Sequence, residues 1–353
     1  LGLGILTSLF TALFLSRMII SRRLEQGKPF SVWTGWSKNI FVNANFDFMA
    51  KRKVFYTVSG IVITVGIVSM FTNGFNWGVD FSGGRTYVVK FQNEVKVDAV
   101  ESALKPNFVT DEGLQSGVNV KTYGGSSQVK ITTNFMSAAS GEGVESIVDG
   151  RLETGLKTLG NDYEIIESRK VDATISDDIK TSAVTALGFA LLFIFLYVAV
   201  RFSNWQFGLA GLLSLTHDAL FVLGLYSLLY KIMPFSMEID EAFIAAILTV
   251  IGYSINDTVV VFDRIREYML DHKRETNEVV FNKAINSTLG RTMNTAMTTL
   301  LVLIVIFFFG GVSIQGFIFA LFIGILVGTY SSVFVASSLV VDLLKGKKSE
   351  TKA

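Results

Sequence analysis

The sequence predicts an α-helical polytopic membrane protein with seven transmembrane helices and one α+β, ferredoxin-like domain outside the bilayer. Three observations carry this. Half of the 353 residues are hydrophobic and only 17% are charged, a composition outside the range of soluble globular chains. Seven apolar runs, at 1–20, 53–73, 181–201, 206–230, 241–262, 290–310 and 315–342, have the length of roughly 20 residues that crosses a hydrocarbon core. One stretch, 74–180, instead alternates polar and apolar residues, the period of half-buried strands.

Charge placement orients the spans. Arg17, Arg22, Arg23, Lys28, Lys38, Lys51, Arg52 and Lys53 cluster between the first two runs, against only Glu25 and Asp47. Cationic loops stay on the cytoplasmic side, so 21–52 reads as a cytoplasmic linker. Alternation then puts 74–180 outside, on the side away from the cytoplasm. It puts Arg201, the basic stretch Arg264 to Arg291 and the tail 343–353, with Lys345, Lys347 and Lys348, inside. Leu1 stands within an apolar run with no charged segment before it. That is the pattern expected of a piece of a longer chain rather than of a signal peptide.

Within 74–180, strands are expected at 85–92, 117–123, 127–134 and 162–168, and helices at 97–105 and 143–159, with a Gly124-Gly125 turn. The order β-α-β-β-α-β is the ferredoxin-like split unit, a fold that names no function by itself. The remaining spans, 181–342, form a five-helix membrane block after 53–73.

Several chemistries are excluded. The net charge of +1 gives no general attraction for nucleic acid. The absence of cysteine removes disulfides and thiolate sites, and two histidines, His217 and His272, are too few for a His-rich metal centre. No phosphate loop, HExxH, GxSxG or GxGxxG motif is present. The chain is therefore expected to be neither an ATPase nor another enzyme, and to need no cofactor; its energy source would be a transmembrane ion gradient.

Polar residues inside the spans carry the functional signal, because an ionisable group near the bilayer centre costs about 2.5 to 3.5 kcal/mol to insert. In the fourth span Gly211, Ser214 and Asp218 share a face, with His217 adjacent. In the fifth, Thr249, Tyr253, Asn256 and Asp257 form a stripe at helical spacing, and in the sixth Thr288, Arg291, Thr295 and Thr298 form another. One reading is a proton relay built on Asp257, Arg291, Asp218 and His217, in which Arg291 stabilises the ionised form of Asp257. The other is a static set of interhelical hydrogen bonds. Adjacent residues point about 100° apart on a helix, so His217 and Asp218 are not expected to share one site. The stripes of the fifth and sixth spans are expected to face one another. Asp263, Arg264 and Arg266 read as interface anchors, Arg291 could snorkel, and Gly324 with Gly328 makes a GxxxG packing face.

Gly78-Val79-Asp80-Phe81-Ser82-Gly83-Gly84 resembles the G-x-D-F-x-G-G signature of the SecD/SecF family. Leu248 to Glu267 (LTVIGYSINDTVVVFDRIRE), Thr288-Leu289-Gly290-Arg291-Thr292 with Thr298-Thr299, and Gly328-Thr329-Tyr330-Ser331-Ser332 are similar to SecF segments in the same order, and 1–20 resembles the last helix of SecD. The resemblance implies the resistance-nodulation-division superfamily and a SecF half of a fused SecDF chain. It implies an accessory subunit of the Sec translocon that uses proton motive force to promote preprotein release on the periplasmic side. The implied partners are the SecD half, SecYEG, the translocating preprotein and membrane lipid. Asp257 and Arg291 match positions that the family assigns to proton translocation, while the family's other key carboxylate belongs to SecD. Asp80 reads either as part of a tight turn at the domain entrance or as a contact to SecD or to the moving polypeptide. A small-molecule exporter of the same superfamily and a non-transporting scaffold are the alternatives.

Overall fold

The computed structural model describes residues 6–7, 9–27, 44–109, 117–137, 139, 143–311 and 314–350, with side chains to 344. The chain divides into two units, Leu1–Asn45 and Phe46–Ala353. The first contains a π-helical stretch, Phe10–Leu15, running into α1, Ser16–Glu25, with no buried residue in either. Parts of the expected span 1–20, of the linker 21–52 and of the tail 343–353 lie outside the described residues.

The second unit is mostly helical. It contains six helices long and apolar enough to cross a membrane, which makes this a multi-pass membrane protein. They are α2 (Arg52–Thr72), α6 (Ala173–Arg201), α7 (Trp205–Leu229), α8 (Glu241–Asp271), α9 (Asn277–Phe309), and a last span in which α10 (Gln315–Tyr330) continues through a π-helical stretch, Ser331–Ala336, into α11 (Ser337–Glu350). Six of the seven expected spans are therefore present among the described residues.

Small residues let these helices approach. Gly66 of α2 and Gly224 of α7 meet backbone to backbone, and a Cβ on Gly66 would stand 3.0 Å from Gly224 Cα. One turn on, the Ser69 and Ser227 hydroxyls share a 2.9 Å hydrogen bond. The GxxxG face of α10 packs on α8: a side chain at Gly324 would overlap Val250, and one at Gly328 would come within 2.9 Å of Ser254 Cβ. Around these contacts Leu215, Val222, Phe243, Ala246, Val250 and Ile325 form the buried apolar centre. The helices α2, α6 and α9 turn most of their apolar surface outward.

Between α2 and α6 stands the domain. One helical turn, α3 (Val79–Ser82), leads into β1 (Gly84–Phe91), α4 (Val97–Leu104), β2 (Val118–Thr122), β3 (Gln128–Thr133), α5 (Val144–Lys157) and β4 (Tyr163–Val171). The strands form one sheet in the order β2-β3-β1-β4, and each neighbouring pair is antiparallel. Tyr87, Val89, Phe91, Val120, Val129 and Ile131 from the strands meet Val100 and Leu104 of α4 and Val148, Leu152 and Leu156 of α5 in a second core. Only Asp172 separates β4 from α6, which begins at Ala173 rather than at 181. The helix projects past the apolar stretch, so Asp177, Asp178 and Lys180, which read as loop, sit on its first turns.

Candidate functional site

Asp257 lies on the inward face of α8 and is only 5% exposed, and its Oδ2 has no hydrogen-bond partner. A buried polar atom without a partner is uncommon in folded proteins and asks for an explanation. Its neighbours come from α9. Arg291 is within coulombic range, and the buried Thr292 hydroxyl lies close without meeting hydrogen-bond geometry. Among the described residues no ion pair within 4.0 Å joins Asp257 to Arg291, whose side chain is on the exposed face of α9. The two helices touch at the edge of the stripes, where Tyr253 Oη lies 3.4 Å from Oγ1 of Thr299, the neighbour of Thr298.

The stripe itself is divided. Thr249 and Asn256 are exposed, Tyr253 is half-buried, and the buried polar residues of α8 are Ser254, Asp257 and Thr258. On α9, Thr288 is buried, Thr295 half-buried and Thr298 exposed. Thr249 and Thr295 instead satisfy their own helices, donating to the carbonyls of Ala245 at 2.7 Å and Arg291 at 2.9 Å.

Asp218, completely buried on α7, is the opposite case. Its Oδ2 accepts from Ser254 of α8 at 2.7 Å and from Ser331 of the π-helical stretch at 2.8 Å. His217 Nδ1 lies 3.0 Å from Oδ1 of the same carboxylate, which corrects the expectation that the two cannot share a site. Their Cβ atoms diverge, but the imidazole is long enough to fold back along the helix. Beside it, His217 Nε2 and Ser214 Oγ are buried without partners. Ser254 stands three residues before Asp257, so this cluster abuts the helix turn that carries it. Ser254 and Ser331 lie in the segments that resemble SecF, but neither is assigned to the polar site from sequence alone, although serines inside an apolar run are a usable signal.

A second polar centre joins the domain to the membrane block through the Gly78–Gly84 segment. Phe81 is buried among α7 and α8 residues, and Asp80 is 1% exposed. Asp80 Oδ1 pairs with Arg169 Nη2 of β4 at 2.8 Å, and Oδ2 accepts from the Glu241 amide, the first of α8, at 3.1 Å. The backbone does form the expected turn. Gly83 and Gly84 have φ of +66° and +127°, and a Cβ at Gly84 would overlap the Thr133 carbonyl oxygen.

Asp240 caps α8, accepting from the Phe243 amide at 2.8 Å. Burial is the main cause raising its pKa above the ordinary 3.8, helped by Glu238 and Asp80, with the Phe243 amide and Lys130 opposing. A raised carboxylate contributes stability below its unfolded value and loses that contribution as pH rises through the folded value. Asp240→Asn keeps the cap acceptor, so it is expected to raise the melting temperature at pH 7. The gain over the unaltered protein should shrink as pH falls toward 4, as a thermal-unfolding series in detergent would show.

A bundle of long apolar helices with paired polar centres, bearing one antiparallel α/β domain, defines a multi-pass membrane transport protein. The chain belongs to the SecD/SecF family. Residues 151–346 match the family model "Protein export membrane protein SecD/SecF, C-terminal" and 68–95 match "SecD/SecF GG Motif". Protein translocase subunit SecF of Rhodothermus marinus is 42% identical over 306 residues, covering 86% of this chain and 95% of that one. SecF of Haemophilus influenzae is 35% identical, covering 84% and 86%. A crystal structure of SecDF, a translocon-associated membrane protein from Thermus thermophilus, superposes with a TM-score of 0.81 at 30% identity and covers 98% of this chain. This chain spans 44% of that longer one.

Proposed function

We propose that this chain acts in Sec-associated protein export as the SecF half of a SecDF unit, using proton motive force to promote preprotein movement and release. The observation that carries the reading is Asp257, a buried carboxylate with an unpartnered oxygen inside a membrane helix, since such groups mark ion and proton pathways. Asp257 gains and loses a proton, Arg291 stabilises its ionised form, and the His217–Asp218 pair extends the polar path through Ser254. The implied partners are a SecD half, SecYEG and the preprotein, with lipid around the outward faces. Strand order and antiparallel pairing support a ferredoxin-like domain, placed in the periplasm by the positive-inside rule. Membership of the resistance-nodulation-division superfamily accords with this plan.

The scaffold reading has one observation in its favour: Asp218 is fully hydrogen-bonded, as a static tie between helices would be. Complementation separates the two. In cells depleted of the native export factor, the full-length complex should restore preprotein export, and collapsing the proton gradient should remove the increment. In the same cells an impermeant thiol reagent should label Gly125→Cys and not Lys273→Cys, the native chain being free of cysteine. Restoration that survives loss of the gradient would favour the scaffold, and reversed labelling would overturn the orientation.

A further inference from the structure

We infer that Asp80 is a positioning residue that couples α8 to the domain, so that displacement of the helix carrying Asp257 is delivered directly to β4. This rests on the relay reading for what moves α8, but the joint itself stands on geometry. Both Asp80 carboxylate oxygens are engaged: Oδ1 forms an ion pair with Arg169 of β4 at 2.8 Å, without hydrogen-bond geometry, and Oδ2 accepts from the Glu241 amide at 3.1 Å. The α8 N-terminus favours that negative charge through its unpaired amides and dipole.

The surrounding contacts make the joint compact. Gly78 donates to the Ile239 carbonyl at 2.9 Å and Ile239 to that of Asn76 at 2.8 Å, a short strand-like pairing of the two loops. Lys130 of β3 pairs with Glu238 at 2.6 Å. Asp80, Arg169, Lys130, Glu238 and Asp240 all border one polar cavity of about 50 Å³. Gly78 allows the approach, since a Cβ there would stand 3.0 Å from Asp240 Cβ.

Helix α8 runs without a break from Glu241 to Asp271, and at 1.5 Å per residue Asp257 lies roughly 25 Å from the joint. A helix without Pro or a π-bulge transmits axial shift and rotation along its length. Arg169 lies two residues before the end of β4, which enters α6 through Asp172 alone. The domain is therefore held by a strand fused to α6 and by a carboxylate seated on α8, with Lys130 on Glu238 and Lys121 on the Tyr230 carbonyl as further ties to the α7–α8 loop. Relative movement of α6 and α8 is thereby delivered to β4 at the first two of these points.

The test uses the full-length complex in lipid with spin labels at Gly125→Cys, on the β2–β3 turn, and Ile232→Cys, an exposed position of the α7–α8 loop. Pulsed-dipolar distances are measured in the otherwise unaltered protein and in five variant backgrounds. Asp80→Asn, which keeps an acceptor for Glu241 but loses the ion pair, and Arg169→Gln should each broaden the distance distribution; Arg169→Lys should not. Asp257→Asn should shift the distribution, and the shift should be lost when Asp80→Asn is added. Unchanged width in both Asp80→Asn and Arg169→Gln, or a shift that persists with Asp80→Asn, would overturn the joint. If Asp257→Asn alone shifts nothing, the relay reading fails and the width comparison still decides the joint.

Discussion

Asp257→Asn is expected to abolish the proton-dependent part of preprotein export while leaving assembly and abundance of the complex intact. Asparagine is nearly isosteric with aspartate, but it cannot ionise. Because Asp257 Oδ2 has no partner, the substitution breaks no hydrogen bond at that atom, and it removes a charge costing about 2.5 to 3.5 kcal/mol to place in the bilayer. Folding should therefore be unharmed or helped, and the loss should be functional. Export of a reporter preprotein into membrane vesicles, with and without an imposed gradient, reads the difference: the gradient-dependent increment falls to background. A variant that assembles normally and keeps the full increment would leave Asp257 as a structural residue.

Gly84→Val is expected to prevent accumulation of the folded protein. The backbone there has φ +127°, a region that costs a side-chain-bearing residue roughly 1–3 kcal/mol. Its Cβ would also overlap the Thr133 carbonyl at the end of β3, and overpacking adds about 1–3 kcal/mol. A combined loss of about 3 kcal/mol or more is a large share of ordinary domain stability. Gly150→Ala is the control, because a Cβ there meets nothing within 4 Å on α5 and alanine favours the helix by about 1 kcal/mol. Protein level and melting temperature should fall sharply for the first substitution and hold or rise for the second.

The spans were legible because bilayer thickness imposes a length of continuous apolar sequence, and the domain because it breaks that run and β2 and β3 alternate, whereas β1 is buried and β4 exposed almost throughout. Helix ends outside the apolar stretch were not. α8 continues to Asp271 rather than 262, and α9 starts at Asn277 rather than 290. These polar turns carry ion pairs such as Arg266 with Asp263 at 2.8 Å, as befits anchors beyond the apolar core. Helical spacing put Asp257 on a polar arc without saying which edge of the arc faces protein, so Thr249 and Asn256 fell on the exposed side. The link from Asp80 to Arg169 and Glu241 joins residues far apart in the chain, and no period or motif encodes it. The glycine pair beside Asp80 was readable as a signature, but its reason, a backbone turned against β3, required coordinates.

Reversible protonation of Asp257 is the central claim, and infrared difference spectroscopy of the full-length complex in lipid tests it most directly. A pH step should produce a carboxyl C=O band from a buried acid that titrates reversibly and is missing in Asp257→Asn. Spectra that are the same in both proteins would contradict the account.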